Sequence, residues 1–446
     1  MLNEYFEIDK RHTSLRVETV AGVTTFLTMA YIIFVNPNIL SAAGMDKSAL
    51  IAVTCLISAV ATISTGIFGK APIAMAPGMG LNSFFAYSLV TQEKISWQTA
   101  LGAVFISGLV FLILTLIGLR KKLVEAIPAG LISAIAVGIG LFIAFIGLNN
   151  LGLVLRDEKT LFALGDITKA TVWIGLLGLV VMVALGLLRV TGSLLIGIFA
   201  TTLVAALFGY VSKPTAWVSL DWPVGKVALQ LDVFGALKIS LWGSIFTLMF
   251  IDMFDSIGTL VACSEKAGLR DERGQIKGLD RLLGIDAIAT MAGALLGTST
   301  TTSYVESAAG IEQGGRTGLT SVVTGLLFLF ALLFVPVIAV VPAYATAPAL
   351  MMVGLYMMKE ARKINLRKVD ELIPSLIIVA MIAVSYQIST GLALGFVSFA
   401  ILKLLLGRFR DIQPAMWLIA ALSLMFLIIR WLPVVTKMFD GGAEGP

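Results

Sequence analysis

Ala71-Pro72-Ile73-Ala74-Met75-Ala76-Pro77-Gly78-Met79-Gly80-Leu81-Asn82-Ser83-Phe84-Phe85 lies inside an apolar stretch, yet it cannot be a continuous helix. Pro72 and Pro77 remove amide donors, and Gly78 and Gly80 weaken what helix remains. A second stretch behaves alike. Gly297-Thr298-Ser299-Thr300-Thr301-Thr302-Ser303-Tyr304-Val305-Glu306-Ser307 carries an unbroken run of Thr and Ser from 298 to 303, a composition that favours extended backbone. Each stretch therefore reads as a short strand followed by a half-helix. Lipid offers no hydrogen bonds, so extended backbone at membrane depth needs protein partners. Pairing the two pieces antiparallel, side by side, satisfies both.

The surroundings of these stretches are those of a polytopic membrane protein. The 446 residues are 58% hydrophobic and 13% charged, and the mean hydropathy is +0.97. Soluble domains carry about 25% charged residues. Apolar runs near bilayer length fall at 17–38, 48–69, 71–92, 98–118, 127–148, 171–189, 193–211, 237–263, 283–298, 299–314, 317–340, 344–360, 371–388 and 391–407. A further apolar segment at 415–433 stands outside this count of fourteen. The N-terminus is polar and shows no cleavable signal pattern.

Basic residues orient the map. With the N-terminus inside, Lys10, Arg11, Arg16, Lys70, Arg120-Lys121-Lys122 and Arg189 all fall inside. So do Lys266, Arg270, Arg273, Lys277 and Arg281 of loop 264–282, the cluster Lys359, Arg362, Lys363, Arg367 and Lys368, and Arg408 and Arg410. The last pair favours two crossings in 371–407. The net charge of +5 is loop charge of this kind and indicates no nucleic-acid partner.

The halves resemble each other. GAVFISGLVFLILTLIGL (102–119) pairs with GLTSVVTGLLFLFALLFV (318–335) at an offset of about 215 residues, and Ile127-Pro128-Ala129 is matched by Val341-Pro342-Ala343. Seven spans per half is an odd number, so the second half is inverted relative to the first. Inverted repeats with paired broken helices are the architecture of secondary transporters, which bind their ligand near the midplane. The expected fold is all-α, with a 7+7 inverted repeat.

Candidate site residues cluster around the breaks. In the apolar span 241–263, Asp252, Asp255, Ser256 and Thr259 fall at i, i+3, i+4 and i+7, which places them on one helical face. Ionisable residues at membrane depth usually mark a ligand or ion path. Asn82 and Glu306 open the two half-helices, where free N–H groups and the positive dipole end point at a ligand. An Asn with a carboxylate suits a flat heterocycle with donors and acceptors along its edge, and Phe84, Phe85 and Phe254 could stack on its ring, although core packing explains each Phe on its own. Protonation of a buried Asp252 or Asp255 would couple transport to protons; the same oxygens with Ser256 and Thr259 could instead hold sodium. No cofactor is indicated. His12 is the sole histidine, and Cys55 and Cys263 both lie in apolar spans, so neither a metal set nor a disulfide framework is expected. No nucleophile–base pair or phosphate loop suggests an enzyme. A channel would need a continuous polar path, and an anion carrier would not surround its pocket with acidic groups.

The motifs GVTTFLTMAYIIFVNP (Gly22 to Pro37), APGMGLNSFFAY (76–87), DMFDSIGTLVA (252–262), GTSTTTSYVESAAG (297–310) and GGRTGLTSVVTGLLFL (314–329) resemble the AzgA-like purine permeases of the nucleobase–cation/ascorbate symporter superfamily. The resemblance covers nearly the whole chain. It implies proton-coupled import of hypoxanthine, guanine or adenine across the inner or plasma membrane. It also implies a uracil-permease-like fold of fourteen spans, with a core domain in 1–125 and 237–342, and a gate domain in 126–236 and 343–446. In that family the base is held by carboxylates of spans 8 and 10 and an Asn of span 3. Those roles transfer to Asp252, Asp255, Glu306 and Asn82, with Asp255 serving proton coupling or helix contacts. The resemblance further implies a homodimer through the gate domain.

Overall fold

The computed structural model describes residues 2–119, 126–157, 161–269, 276, 278–385 and 387–440. The basic residues Arg120-Lys121-Lys122, Arg270, Arg273 and Lys277 used for orientation lie outside these. The elements that frame the site are α1 (Leu15–Met29), α2 (Ile32–Ser41), α3 (Lys47–Ser64), β1 (Met75–Pro77), α4 (Met79–Ser83), α5 (Trp97–Leu116), α6 (Ala129–Leu151), the hairpin β2 (Val154–Asp157) and β3 (Leu161–Leu164), α7 (Ala170–Leu187), α8 (Ser193–Leu207), α9 (Trp242–Lys266), α10 (Leu279–Leu296), β4 (Thr301–Ser303), α11 (Ser307–Glu312), α12 (Gly318–Ala331), α13 (Ala343–Met358), α14 (Val369–Ser385), α15 (Ile388–Leu405) and α16 (Pro414–Asp440). Among the described residues, nine helices are long and apolar enough to cross a membrane, the last of them Pro414–Trp431.

The two broken stretches meet as expected. β1 pairs antiparallel with β4, with Met75 opposite Ser303, Ala76 opposite Thr302 and Pro77 opposite Thr301. The ladder extends on both sides, where Gly78 N–H donates to the Thr300 carbonyl at 3.0 Å and Tyr304 N–H to the Ala74 carbonyl at 2.9 Å. Side-chain hydroxyls complete the accounting. Thr62 Oγ1 lies 2.9 Å from both backbone groups of Met75, Ser307 Oγ accepts from Ala74 N–H, and Ser321 Oγ reaches the Ala71 and Ile73 carbonyls. Beyond β1 the chain continues as α4 and then as wider π-type turns over Phe84–Gln92. Beyond β4 it continues as α11.

Helices from the two halves of the sequence interlock around this crossing. α12 packs on α1 and α3, α5 lies on α10, and α6 lies on α13 and α14. The span read as 17–38 is two helices with a bend at Ala30–Tyr31, and 371–407 is two helices, α14 and α15. α11 sits against α1 so closely that a side chain at Gly310 would run into Thr25 Oγ1 and the Ala21 carbonyl.

One buried carboxylate ties the start of the chain to α12. Glu18, with no exposed surface, accepts from the backbone N–H groups of Arg316 (2.9 Å), Thr317 (3.2 Å) and Thr320 (3.2 Å), and from the Thr320 hydroxyl (2.5 Å). These are the orphan donors of a helix N-terminus, and a carboxylate there is favoured by both hydrogen bonds and dipole. Glu18→Ala strands several donors at once, at about 1–3 kcal/mol each for a buried unpaired group. The expected outcome is a clearly lower apparent melting temperature in detergent, with Glu18→Gln recovering part of the loss.

Candidate functional site

Glu306 stands at the N-terminal end of α11, three residues beyond β4. It is half-buried, and one of its oxygens, Oε1, accepts from the Tyr31 hydroxyl at 2.5 Å. Tyr31 itself is wholly buried at the bend between α1 and α2. The neighbouring Tyr304 hydroxyl donates to the Pro77 carbonyl at 2.6 Å, which locks the two broken stretches together beside Glu306. Asp255, at the middle of α9, lies within electrostatic reach of Glu306, as does Tyr356 of α13.

Asp255 is exposed, and the exposed positions continue along α9 as Gly258, Ala262 and Glu265, one helical stripe running toward Lys266. In the other half of α9, Leu248 to Met253 are buried. A carboxylate facing lipid is expensive, so this stripe borders a water-filled crevice that reaches Glu306 from the Lys266 end only. Phe246, Phe250 and Phe254 follow at one-turn intervals up the helix. Phe250 packs against Phe254 at 4.6 Å and against Phe396 of α15 at 5.2 Å between ring centres. A cavity of about 1090 Å³ lies on the far side of these rings, lined by Phe246, Met249, Phe396 and Phe426, and bordered by the Arg430–Glu93 ion pair at 2.7 Å. None of Asn82, Asp252, Asp255 or Glu306 lines it.

The expected common face of α9 is divided. Asp252 and Ser256 are wholly buried and Thr259 is 9% exposed, while Asp255 is exposed. Helical spacing of i and i+3 spreads residues over a broad arc, and the crevice edge falls within it. Asp252 Oδ2 accepts from Thr290 of α10 at 3.0 Å, and the same hydroxyl lies 3.0 Å from the Thr301 carbonyl, so Asp252 supports β4 from behind. Asp286, one turn before Thr290, stands near Ser303 Oγ at 3.4 Å. Asn82 falls within α4 and is wholly buried; its Nδ2 donates to Asn36 Oδ1 at 2.5 Å. Phe84 and Phe85 have no exposed surface, and Phe254 is partly buried against the core. The structure thus brings Glu306 and Asp255 together on the crevice and sets Asp252 and Asn82 in buried polar networks behind it.

Tyr31, Asn36, Thr290 and Asp286 were not singled out in the sequence. Tyr31 and Asn36 lie in a motif that carries the family resemblance, but nothing in their spacing points to Glu306 or Asn82, some 275 and 46 positions away. Asp286 in an apolar span was the one available signal.

The chain belongs to the permease family: the family model Xan_ur_permease (Permease family) matches residues 16–402. Relatives include the adenine permease AdeP of Escherichia coli K12, 40% identical over 96% of each chain, and the guanine/hypoxanthine permease PbuG of Bacillus subtilis 168, 40% identical over 96% of this chain and 99% of that one. Among solved structures, the transmembrane domain of the cyanobacterial bicarbonate transporter BicA superposes with a TM-score of 0.64 at 17% identity, covering 85% of this chain and 97% of that one. SLC26A9 gives a TM-score of 0.62 at 9% identity, covering 87% of this chain and 66% of that one. The protein is a multi-pass membrane permease of this transporter fold, not an enzyme, and the AzgA-like resemblance read from the motifs holds.

The crevice makes a direct prediction. Cysteines placed at Asp255, Gly258 and Ala262, with buried Cys55 and Cys263 replaced, should react rapidly with an impermeant maleimide added from the Lys266 side. Cysteines at Ser256 and Thr259 should react slowly. Equal labelling at all five would remove the crevice.

Proposed function

We propose that the protein is a secondary active transporter that imports purine nucleobases by proton symport, with Glu306 and Asp255 as the polar floor of the binding site. The observation that carries this reading is the pairing of those two carboxylates at the β1–β4 crossing, at the closed end of a one-sided crevice. Relatives named for adenine and for guanine and hypoxanthine support a purine as the ligand. Purines carry N–H groups on ring and exocyclic positions, and Glu306 offers acceptors to them at the start of α11. Acidic groups in the pocket disfavour an anion, although neighbours of the same fold are named as bicarbonate and anion transporters. Fold sets the frame, and the side chains choose the ligand.

In this reading the chain forms fourteen spans as a 7+7 inverted repeat, with α16 as an additional crossing. A core of 1–125 and 237–342 carries the crossing strands, and a gate of 126–236 and 343–446 carries α6, α13 and α15. The basic residues of the inner loops make the Lys266 end cytoplasmic, so the crevice corresponds to an inward-open state. The Phe246–Phe250–Phe254 rings against Phe396 close the outer path. Rocking the gate against the core would open that path and cover Glu306. A proton taken up by Asp255 or Glu306 removes a repulsion between like charges and one charge from the membrane interior, which lowers the cost of the return movement. Asp252 would act through Thr290 on the crossing strands.

Uptake of radiolabelled hypoxanthine or adenine into expressing cells should saturate, be blocked by unlabelled purines and collapse with a protonophore. Uptake that ignores the proton gradient and follows sodium would overturn the coupling; absence of any purine uptake would overturn the substrate. Glu306→Gln is expected to lower Vmax/KM by about 10- to 100-fold, the size of a lost charge-assisted hydrogen bond, and Tyr31→Phe to raise KM by about 3- to 10-fold. Asp255→Asn should retain purine exchange across vesicles while losing accumulation driven by a pH gradient. Unchanged accumulation would sink Asp255 as the coupling group.

A further inference from the structure

The two ends of the Asn82 amide have unequal fates. Nδ2 donates to Asn36 Oδ1, whereas Oδ1 is buried and has no partner among the described residues. An amide can turn over and exchange its donor for its acceptor, so its orientation is decided by the bonds that hold it. Those bonds can be followed outward. The Thr54 hydroxyl has a single proton, donated to the Leu50 carbonyl at 2.6 Å. Its oxygen can then only accept, and Asn36 meets it with Nδ2 at 2.8 Å; the same Nδ2 lies 3.2 Å from Thr298 Oγ1. Asn36 must consequently turn Oδ1 toward Asn82, and Asn82 must answer with an N–H. The carbonyl of Asn82 is what remains. Asn36, Thr54, Asn82 and Thr298 all have no exposed surface, so water does not compete for these bonds.

We infer that Asn36, anchored by Thr54, is a positioning residue for specificity: it fixes the Asn82 amide so that the site demands a hydrogen-bond donor, a ring N–H or an exocyclic amino group, from the bound base. The inference rests on the purine reading of the site and on Asn82 as a contact of the base. The other half-helix is set the same way. The Tyr31 hydroxyl donates to Glu306 Oε1, and Glu306 in its ionised form presents only acceptors. Both polar anchors therefore read donors. A heterocycle with N–H groups on two edges fits them, and one whose N–H is methylated or replaced by an acceptor leaves a buried carbonyl facing it, which is costly.

The test compares inhibition constants in competition with radiolabelled hypoxanthine or adenine, using the full chain in membrane vesicles. The competitors are purine analogues in which one N–H at a time is methylated or replaced by an acceptor. In the wild type, at least one analogue should bind about 10-fold or more weakly than its parent. Thr54→Val is isosteric, lies outside the ligand contacts and removes the anchor. There the penalty for that analogue should shrink to less than about 3-fold, since the freed amide can present its NH₂ group, while the penalties at other positions stay. Thr54→Ser keeps the hydroxyl and should restore the wild-type ratio. Asn36→Leu should act like Thr54→Val. If Thr54→Val weakens every analogue by the same factor, or leaves every ratio unchanged, the network is merely structural and the inference fails. A wild type that binds no purine removes the functional reading itself, a different outcome from the first two.

Discussion

The structure depends on the pairing of two extended segments in a place where water is absent. A bilayer cannot hydrogen-bond a strand, and a three-residue strand cannot satisfy itself. β1 and β4 satisfy each other, and Thr62, Ser307, Ser321 and Thr290 take up what the ladder leaves. Because the two segments come from opposite halves of the chain, their pairing fixes how the halves dock. It also places the start of each half-helix beside the crossing, the one region where free backbone donors and short polar side chains can surround a ligand at membrane depth.

Around that centre the polar residues form a graded set. Glu18 holds α1 to α12, Asp252 and Thr290 brace β4, and Asn36 and Thr54 hold the Asn82 amide. Glu306 and Asp255 alone among the acidic residues near the crossing stand on the crevice. The outer shell is different in kind. Trp173, Val180 and Leu187 of α7, and Leu376 and Val384 of α14, are apolar and exposed, as lipid-facing residues must be. The same frame in BicA and SLC26A9 belongs to transporters with other ligands. What differs is the chemistry of a few side chains at the crossing.

Much of this was legible in the residues. Two prolines and two glycines between Pro72 and Gly80, and a Thr/Ser run before Glu306, are incompatible with membrane helix, and the bilayer leaves their antiparallel pairing as the remedy. Glu306 was legible for a similar reason: a carboxylate there has no structural partner within its own segment. The face of α9 was only half legible. Spacing correctly placed Asp252, Asp255, Ser256 and Thr259 in one arc, but the crevice edge cuts through that arc, and its position depends on where α11 and α13 lie. Phe84 and Phe85 looked like ring-stacking candidates, yet the π-type turns of Phe84–Gln92 turn both into the core.

The sequence by itself determined the membrane class, the two breaks and their pairing, because these follow from local propensity and from the cost of unsatisfied backbone in lipid. Tertiary structure alone decided which polar groups meet. Tyr31 reaches Glu306 across 275 positions, and Glu18 reaches Thr320 across 302. It decided as well which end of the Asn82 amide is free, since that follows from a chain of hydrogen bonds through Asn36 and Thr54 that no periodicity encodes. Hydrogen-bond direction is a property of three-dimensional neighbours, and the sequence lists only the groups from which such neighbours are drawn.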